Sequence, residues 1–281
     1  MTYDIDSVRA DFPALTAGSA HFDGPGGTQT PRAVINAISE AMSGPLSNRG
    51  TVTTGEARAD ETVTDARAAI ADLVGGDAGG VVFGRSATQL CYDFSRWISR
   101  DWKAGDEVVV TRLDHDSNVR PWVQAAERAG ATLRWLDFDP ETSELDDIAT
   151  VLTEHTKLVA VTAASNLIGT MPDVAALAAA AHAVGALVYV DGVHFTAHAY
   201  VDMVALGADF YSCSPYKFLG PHLGALIAAP ALLESLHPDK LLPSTNEVPE
   251  RFEFGTLPYE MLAGVAAAVD YLSTIGGPSD E

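Results

Sequence analysis

From residue 80 onward the chain alternates short apolar, β-branched runs with longer stretches of helical composition. The runs at 80–83 (GVVF), 107–111 (EVVVT), 132–136 (TLRWL), 157–162 (KLVAVT), 187–190 (LVYV), 209–212 (DFYS) and 225–228 (ALIA) predict seven strands. Between them, 87–101, 118–129, 145–152 and 174–184 predict helices, with Gly130 and Gly185 as stop signals. Repeated strand–helix–strand units predict an α/β fold, a mostly parallel seven-stranded sheet with helices on both faces. In such sheets ligands bind beyond the carboxyl ends of the strands. Ser86, Thr88, His115, Asn166, Asp191 and Lys217 all lie just after a predicted strand. No internal repeat, low-complexity segment or linker interrupts the pattern.

The segment 174–190 (VAALAAAAHAVGALVYV) carries no formal charge and approaches the length of a membrane span. Its alanine-rich first half, His182 and Gly185 in the middle, and the β-branched run ending at Asp191 read better as a helix packed on a sheet followed by a buried strand. The 281 residues carry a formal charge of −21, which disfavours nucleic acid and anionic membrane surfaces. The only cysteines, Cys91 and Cys213, make a disulfide scaffold improbable. With no basic and apolar leader in the opening residues, a cytoplasmic location is expected.

The chain has four lysines, Lys103, Lys157, Lys217 and Lys240. Lys217 stands among Phe210, Tyr211, Pro215, Tyr216, Phe218 and Leu219. A free lysine amine, with a pKa of about 10.4, is neutral in roughly one molecule in 2500 at pH 7. Burial disfavours the charged form and makes such an amine a nucleophile able to form an imine. Asp191 ends an earlier strand, and a lysine with a strand-end carboxylate is the pair that pyridoxal phosphate requires, one for its Schiff base and one for its pyridinium nitrogen. Other readings of these residues stay open. Lys217 also reads as an exposed lysine, Asp191 as a cap on the following turn, and Ser86 as a helix N-cap. Asp191, His194 and His198 also have a spacing that suits a metal and a hydrolase, because residues at i and i+4 share a helix face, although no HExxH glutamate accompanies them.

Several motifs occur in a fixed order: His21-Phe-Asp-Gly-Pro-Gly-Gly27, Asn48-Arg49-Gly50, Phe83-Gly-Arg-Ser-Ala-Thr88-Gln, Asp114-His115-Asp-Ser-Asn118-Val-Arg-Pro-Trp122, Ala164-Ser-Asn166-Leu-Ile-Gly-Thr170, the Asp191 and Lys217 blocks, and Phe252-Glu-Phe-Gly-Thr256. Together they resemble the aminotransferase class V family of fold-type I pyridoxal-phosphate enzymes, and within it the cysteine-desulfurase-like branch. The resemblance implies that Lys217 is the Schiff-base lysine and proton carrier, that Asp191 partners the pyridine nitrogen, and that His115 stacks on the cofactor ring. It implies phosphate contacts from Thr88 and Ser214, with Ser86 and Tyr216 beside them. Asn166 and His194 would lie near the phenolic oxygen, and Thr256 would reach the neighbouring site of a homodimer.

By the same resemblance, residues 1–30 form an N-terminal arm, 31–260 a cofactor-binding large domain, and 261–281 the start of a truncated C-terminal domain. Tyr216 departs from the His, Gln or Arg usual before the lysine; His222 and Arg85 are candidates to compensate at the phosphate. The arginine that grips the substrate carboxylate belongs to the small domain, and Arg49 is the candidate replacement. Neither cysteine suits the sulfur-accepting role of a desulfurase, Cys91 lying in a predicted helix and Cys213 beside the cofactor strand. The expected function is a transferase or lyase acting on a small amino-acid substrate, with a cofactor-binding or dimerisation domain lacking turnover as the alternative.

Overall fold

The computed structural model describes residues 4–275; the expectations for residues 1–3 and 276–281 concern positions outside that range. The helices are α1 (Ile5–Ala10), α2 (Arg32–Ser43), α3 (Thr54–Val74), α4 (Ala87–Ile98), α5 (Arg120–Ala129), α6 (Val174–Ala183), α7 (Pro230–Glu234) and α8 (Tyr259–Ile275). The strands are β1 (Val81–Gly84), β2 (Glu107–Thr111), β3 (Thr132–Leu136), β4 (Thr156–Thr162), β5 (Leu187–Asp191), β6 (Phe210–Cys213) and β7 (Gly224–Ala228). They form one sheet in the order β1-β7-β6-β5-β4-β2-β3, parallel from β6 to β3, with β7 antiparallel to both of its neighbours.

Both faces of this sheet are covered, which is why its inner strands read as continuous apolar runs, while the edge strand β3 alternates exposed and half-buried residues. Val188 and Val190 of β5 and Tyr211 of β6 join a core with Val63, Ile70 and Val74 of α3, Leu177 of α6, and Leu262 and Val265 of α8. Tyr189 of β5 and Phe210 of β6 join a second core with Phe94 and Trp97 of α4 and Trp122 of α5. The uncharged 174–190 segment is helix α6 followed by strand β5, as its composition predicts. Among the described residues no helix is long and apolar enough to cross a membrane.

Two local expectations need correction. The helix predicted at 145–152 is a single 3-10 turn, Ile148–Thr150. Leu145 instead pairs across an antiparallel bridge with Phe138, and Asp147 accepts the Ala149 N–H, so local side-chain bonding competes successfully with a helix. The spacing of His194 and His198 likewise marks no helix face, because only the short 3-10 turn Phe195–Ala197 lies between them.

A buried ion pair ties α3 to β1. Arg67 donates to both Glu253 carboxylate oxygens at 3.0 and 2.8 Å, and Glu253 also accepts the Phe83 N–H at 2.8 Å. Removing one partner strands the other charge. Glu253→Ala is therefore expected to cost about 3–5 kcal/mol in chemical denaturation, whereas an exposed pair such as Arg100–Asp239 should contribute under about 1 kcal/mol.

Candidate active site

Strands β4, β5 and β6 end abreast: Thr162 is level with Asp191, and Asp191 with Ser212. Beyond these ends lies a cavity of about 180 Å³. Ser86, Thr88, His115, Asn166, Asp191, His194, Ser214, Tyr216 and Lys217 all line it, whereas Thr256 and the further candidates Arg49, Arg85, His198 and His222 do not. Thr256 lies outside the cavity of its own chain and donates to Asn48 at 3.2 Å. Pro25, Ser117 and Thr162 also line the cavity and were not singled out. Thr162 had a usable signal, since it ends a predicted strand one position before the loop.

Lys217 closes the 3-10 turn Pro215–Lys217 and is 8% exposed. Burial lowers its pKa, while Asp191 and Asp23 pull it back upward. Its amine lies 5.6 Å from the centre of the Tyr216 ring. Asp191 is 6% exposed, and burial raises its pKa against the opposing effects of the Val193 N–H, His115 and Lys217. Only one of its carboxylate oxygens has a hydrogen-bond donor among the described residues, the Val193 N–H at 2.9 Å. The second oxygen is left for a cationic or N–H partner.

Opposite, α4 begins at the cavity wall. Ser86 caps it by accepting the Gln89 N–H at 3.1 Å, and the Ala87 and Thr88 N–H groups have no acceptor inside the helix. The hydroxyls of Thr88 and Ser214 make no hydrogen bond to any described residue, so this corner collects unspent donors suited to an anion. Gly224 of β7 makes the arrangement possible: a Cβ there would lie 2.3 Å from the Ser86 carbonyl carbon and push the helix start away.

His115 accepts the Ser117 N–H through Nδ1 at 3.1 Å, so its neutral ring carries the proton on Nε2. Burial, with His198 and Lys217 nearby, lowers the pKa of His194 and keeps it neutral. Tyr216 keeps its phenol protonated, its pKa raised by burial and by Asp191. Its ring stacks on His222 at 4.8 Å. Neither His222 nor Arg85 lines the cavity. Arg49 is engaged elsewhere, held by Asp60 at 2.8 Å and Glu250 at 2.9 Å, which argues against its gripping a substrate carboxylate here. Both cysteines are buried, and burial pushes the Cys213 thiol up to about 12 and Cys91 well above its ordinary value. Neither is a reactive thiolate. Among the described residues no group of three His, Cys, Asp or Glu side chains is placed to hold a metal ion.

Aminotransferase class-V sequences match this chain over residues 20–280. The chain belongs to the class-V aminotransferase family. An uncharacterized protein of Mycobacterium tuberculosis is 35% identical over 98% of the chain, which covers 70% of that protein. A cysteine desulfurase of Klebsiella pneumoniae is also 35% identical over 98%, with 73% of its length covered. The apo cysteine desulfurase of Thermococcus onnurineus NA1 superposes with a TM-score of 0.91 at 28% identity, over 98% of this chain and 72% of that one. This class-V chain thus has the desulfurase-like fold as well as the desulfurase-like motifs.

Behind Asp191 lies a carboxyl that the motif carries without an assigned role. Asp114 bonds to Thr111 Oγ1 and accepts the Asn118 amide N–H at 2.7 Å. Burial, reinforced by Asp191, raises its pKa from an ordinary 3.8 to about 8. The folded protein therefore holds a proton that the unfolded chain releases, so this contribution to stability is complete below pH 3.8 and is lost as the pH rises to about 8. Asp114→Asn mimics the protonated group and is expected to flatten that part of the stability profile, by up to about 1.4 kcal/mol per pH unit in denaturation curves between pH 4 and 8.

Proposed function

We propose that this class-V chain is a pyridoxal-phosphate enzyme, a transferase or lyase that acts on a small amino acid through Lys217. One observation carries the reading: a buried lysine amine and a buried carboxylate with an unpartnered oxygen line the same cavity as a helix start with unspent donors. When bound, pyridoxal phosphate supplies an electron sink for the bonds of an amino acid's α-carbon. Lys217 would attach it covalently. Asp191 would hold the proton on its ring nitrogen, and His115 would support the ring. The phosphate fits the α4 start, with Ser86, Thr88, Ser214 and the Tyr216 phenol as donors. Asn166 and the neutral His194 would serve the phenolic oxygen and the substrate carboxylate.

The Lys217 amine would serve as the base for the substrate α-proton, and burial, by lowering its pKa, favours the uncharged form that this role needs. Thr256, on the surface outside the cavity of its own chain, is the residue we assign to the neighbouring site of a homodimer. A reducing cytoplasm suits the two buried free thiols. With neither thiol reactive, sulfur transfer to a cysteine of this chain is not the reaction we assign, and chemistry at the α- or β-carbon is. The test is to add pyridoxal phosphate to the purified chain, reduce with borohydride and map the adduct. A visible absorbance band and a stable adduct on Lys217 are expected. A colourless protein, or an adduct spread over Lys103, Lys157 and Lys240, would sink the reading.

A further inference from the structure

The loop carrying Lys217 is not held by its own sequence alone. Leu219 adopts a φ of +73°, a left-handed conformation that a non-glycine residue takes only when its surroundings impose it. Within the loop, the Phe218 and Gly220 N–H groups return to the Pro215 carbonyl at 2.9 and 2.8 Å. The Lys217 N–H returns to the Ser214 carbonyl at 2.9 Å, and two further polar groups of the loop are met from far away in the chain. The Thr28 N–H donates to the Tyr216 carbonyl at 3.0 Å, and the Thr28 hydroxyl donates to the same oxygen at 3.1 Å. That hydroxyl in turn accepts the Leu219 N–H at 2.8 Å. One side chain therefore bonds the residue before Lys217 and the left-handed residue two positions after it.

The approach is close because position 27 is glycine. Gly27 has a φ of +133°, and a Cβ there would lie 3.0 Å from the Tyr216 ring. The same glycine-rich segment brings Pro25 into the cavity wall and the Asp23 charge near the lysine. We propose that Thr28 is a positioning residue for Lys217: its hydroxyl, shared between the Tyr216 carbonyl and the Leu219 N–H, holds the loop that keeps the reactive amine buried at the cavity. This rests on Lys217 being the reactive amine, and Thr28 itself does not line the cavity.

The test compares Thr28→Val, which removes the hydroxyl, with Thr28→Ser, which keeps it, in the full cofactor-free chain. Hydrogen exchange of the Leu219 amide is expected to quicken about tenfold in T28V and to stay within about threefold of wild type in T28S. Labelling with acetic anhydride across a pH series, read by mass spectrometry with the other lysines as internal reference, gives the second measure. Water reaching a loosened Lys217 should move its labelling midpoint up toward that of an ordinary lysine in T28V alone. Should T28V melt early, Thr28→Ala removes the same hydroxyl without a second methyl and is read in the same way. An unchanged Lys217 midpoint in a folded variant lacking the hydroxyl, or a shift that T28S shares, overturns the proposal. Because both readouts are taken without cofactor, a wild-type chain that captured no pyridoxal phosphate would overturn the proposed function and not the clamp.

Discussion

Lys217→Ala is expected to bind pyridoxal phosphate only reversibly, to retain no adduct after borohydride, and to lose turnover by about a thousandfold or more. Two contributions disappear together. The covalent tether goes, leaving phosphate donors and ring contacts to hold the cofactor. The proton carrier at the α-carbon goes as well, and a positioned general base alone is worth about 10²–10⁴ in rate. Lys217→Arg should fail equally, because a guanidinium keeps the charge but is not a nucleophile at accessible pH. Lys240 donates to the Ser244 carbonyl at 2.7 Å, away from the cavity, so Lys240→Ala is the matching control and should keep the adduct. Absorbance before and after dialysis, followed by the mass of the reduced protein, separates the three variants. Retention of a borohydride-stable adduct in Lys217→Ala would refute the assignment.

The second large effect belongs to Asp191. Asp191→Asn can still accept the Val193 N–H through its amide oxygen, so the loop geometry should survive. What it loses is the charge that would keep the ring nitrogen protonated, a charge-assisted bond worth about 1.5–3 kcal/mol, and turnover should fall about 10- to 100-fold. The substitution also leaves a signature in the cofactor-free protein. Asp191 raises the Lys217 pKa, so its removal should carry the labelling midpoint of Lys217 further down. It also raises the pKa of Asp114, which should therefore move below about 8. A variant with reduced turnover and an unmoved Lys217 midpoint would mean that the carboxylate acts without facing the amine.

The inner strands were legible because burial on both faces forces apolar residues at consecutive positions, and β2 and β7 follow that reading almost residue for residue, whereas the edge strand β3 was legible from its alternation of exposed and half-buried positions. The stretch 145–152 misled because its apolar spacing is helical while Asp147 supplies a competing local bond. Helix α3 was passed over although its start carries a readable signal: Thr53 and Glu56 form a reciprocal capping box. At the site, position after a strand marked Ser86, Thr88, His115, Asn166, Asp191 and Lys217, and the family resemblance added His194, Ser214 and Tyr216; all nine line the cavity. Thr28 could not be selected this way, because its role comes from bonds to Tyr216 and Leu219, far along the chain.

By itself the sequence determined the layered α/β architecture and singled out Lys217 and Asp191 as the candidate pair, because apolar runs and residue chemistry are local properties. Tertiary structure alone decided the rest. It set Asp191 level with Thr162 and Ser212, engaged Arg49 with Asp60 and Glu250, placed Thr256 outside the cavity, and closed Thr28 over the Lys217 loop. Each of these depends on register or on contact between distant segments, and neither is encoded in any one stretch of chain.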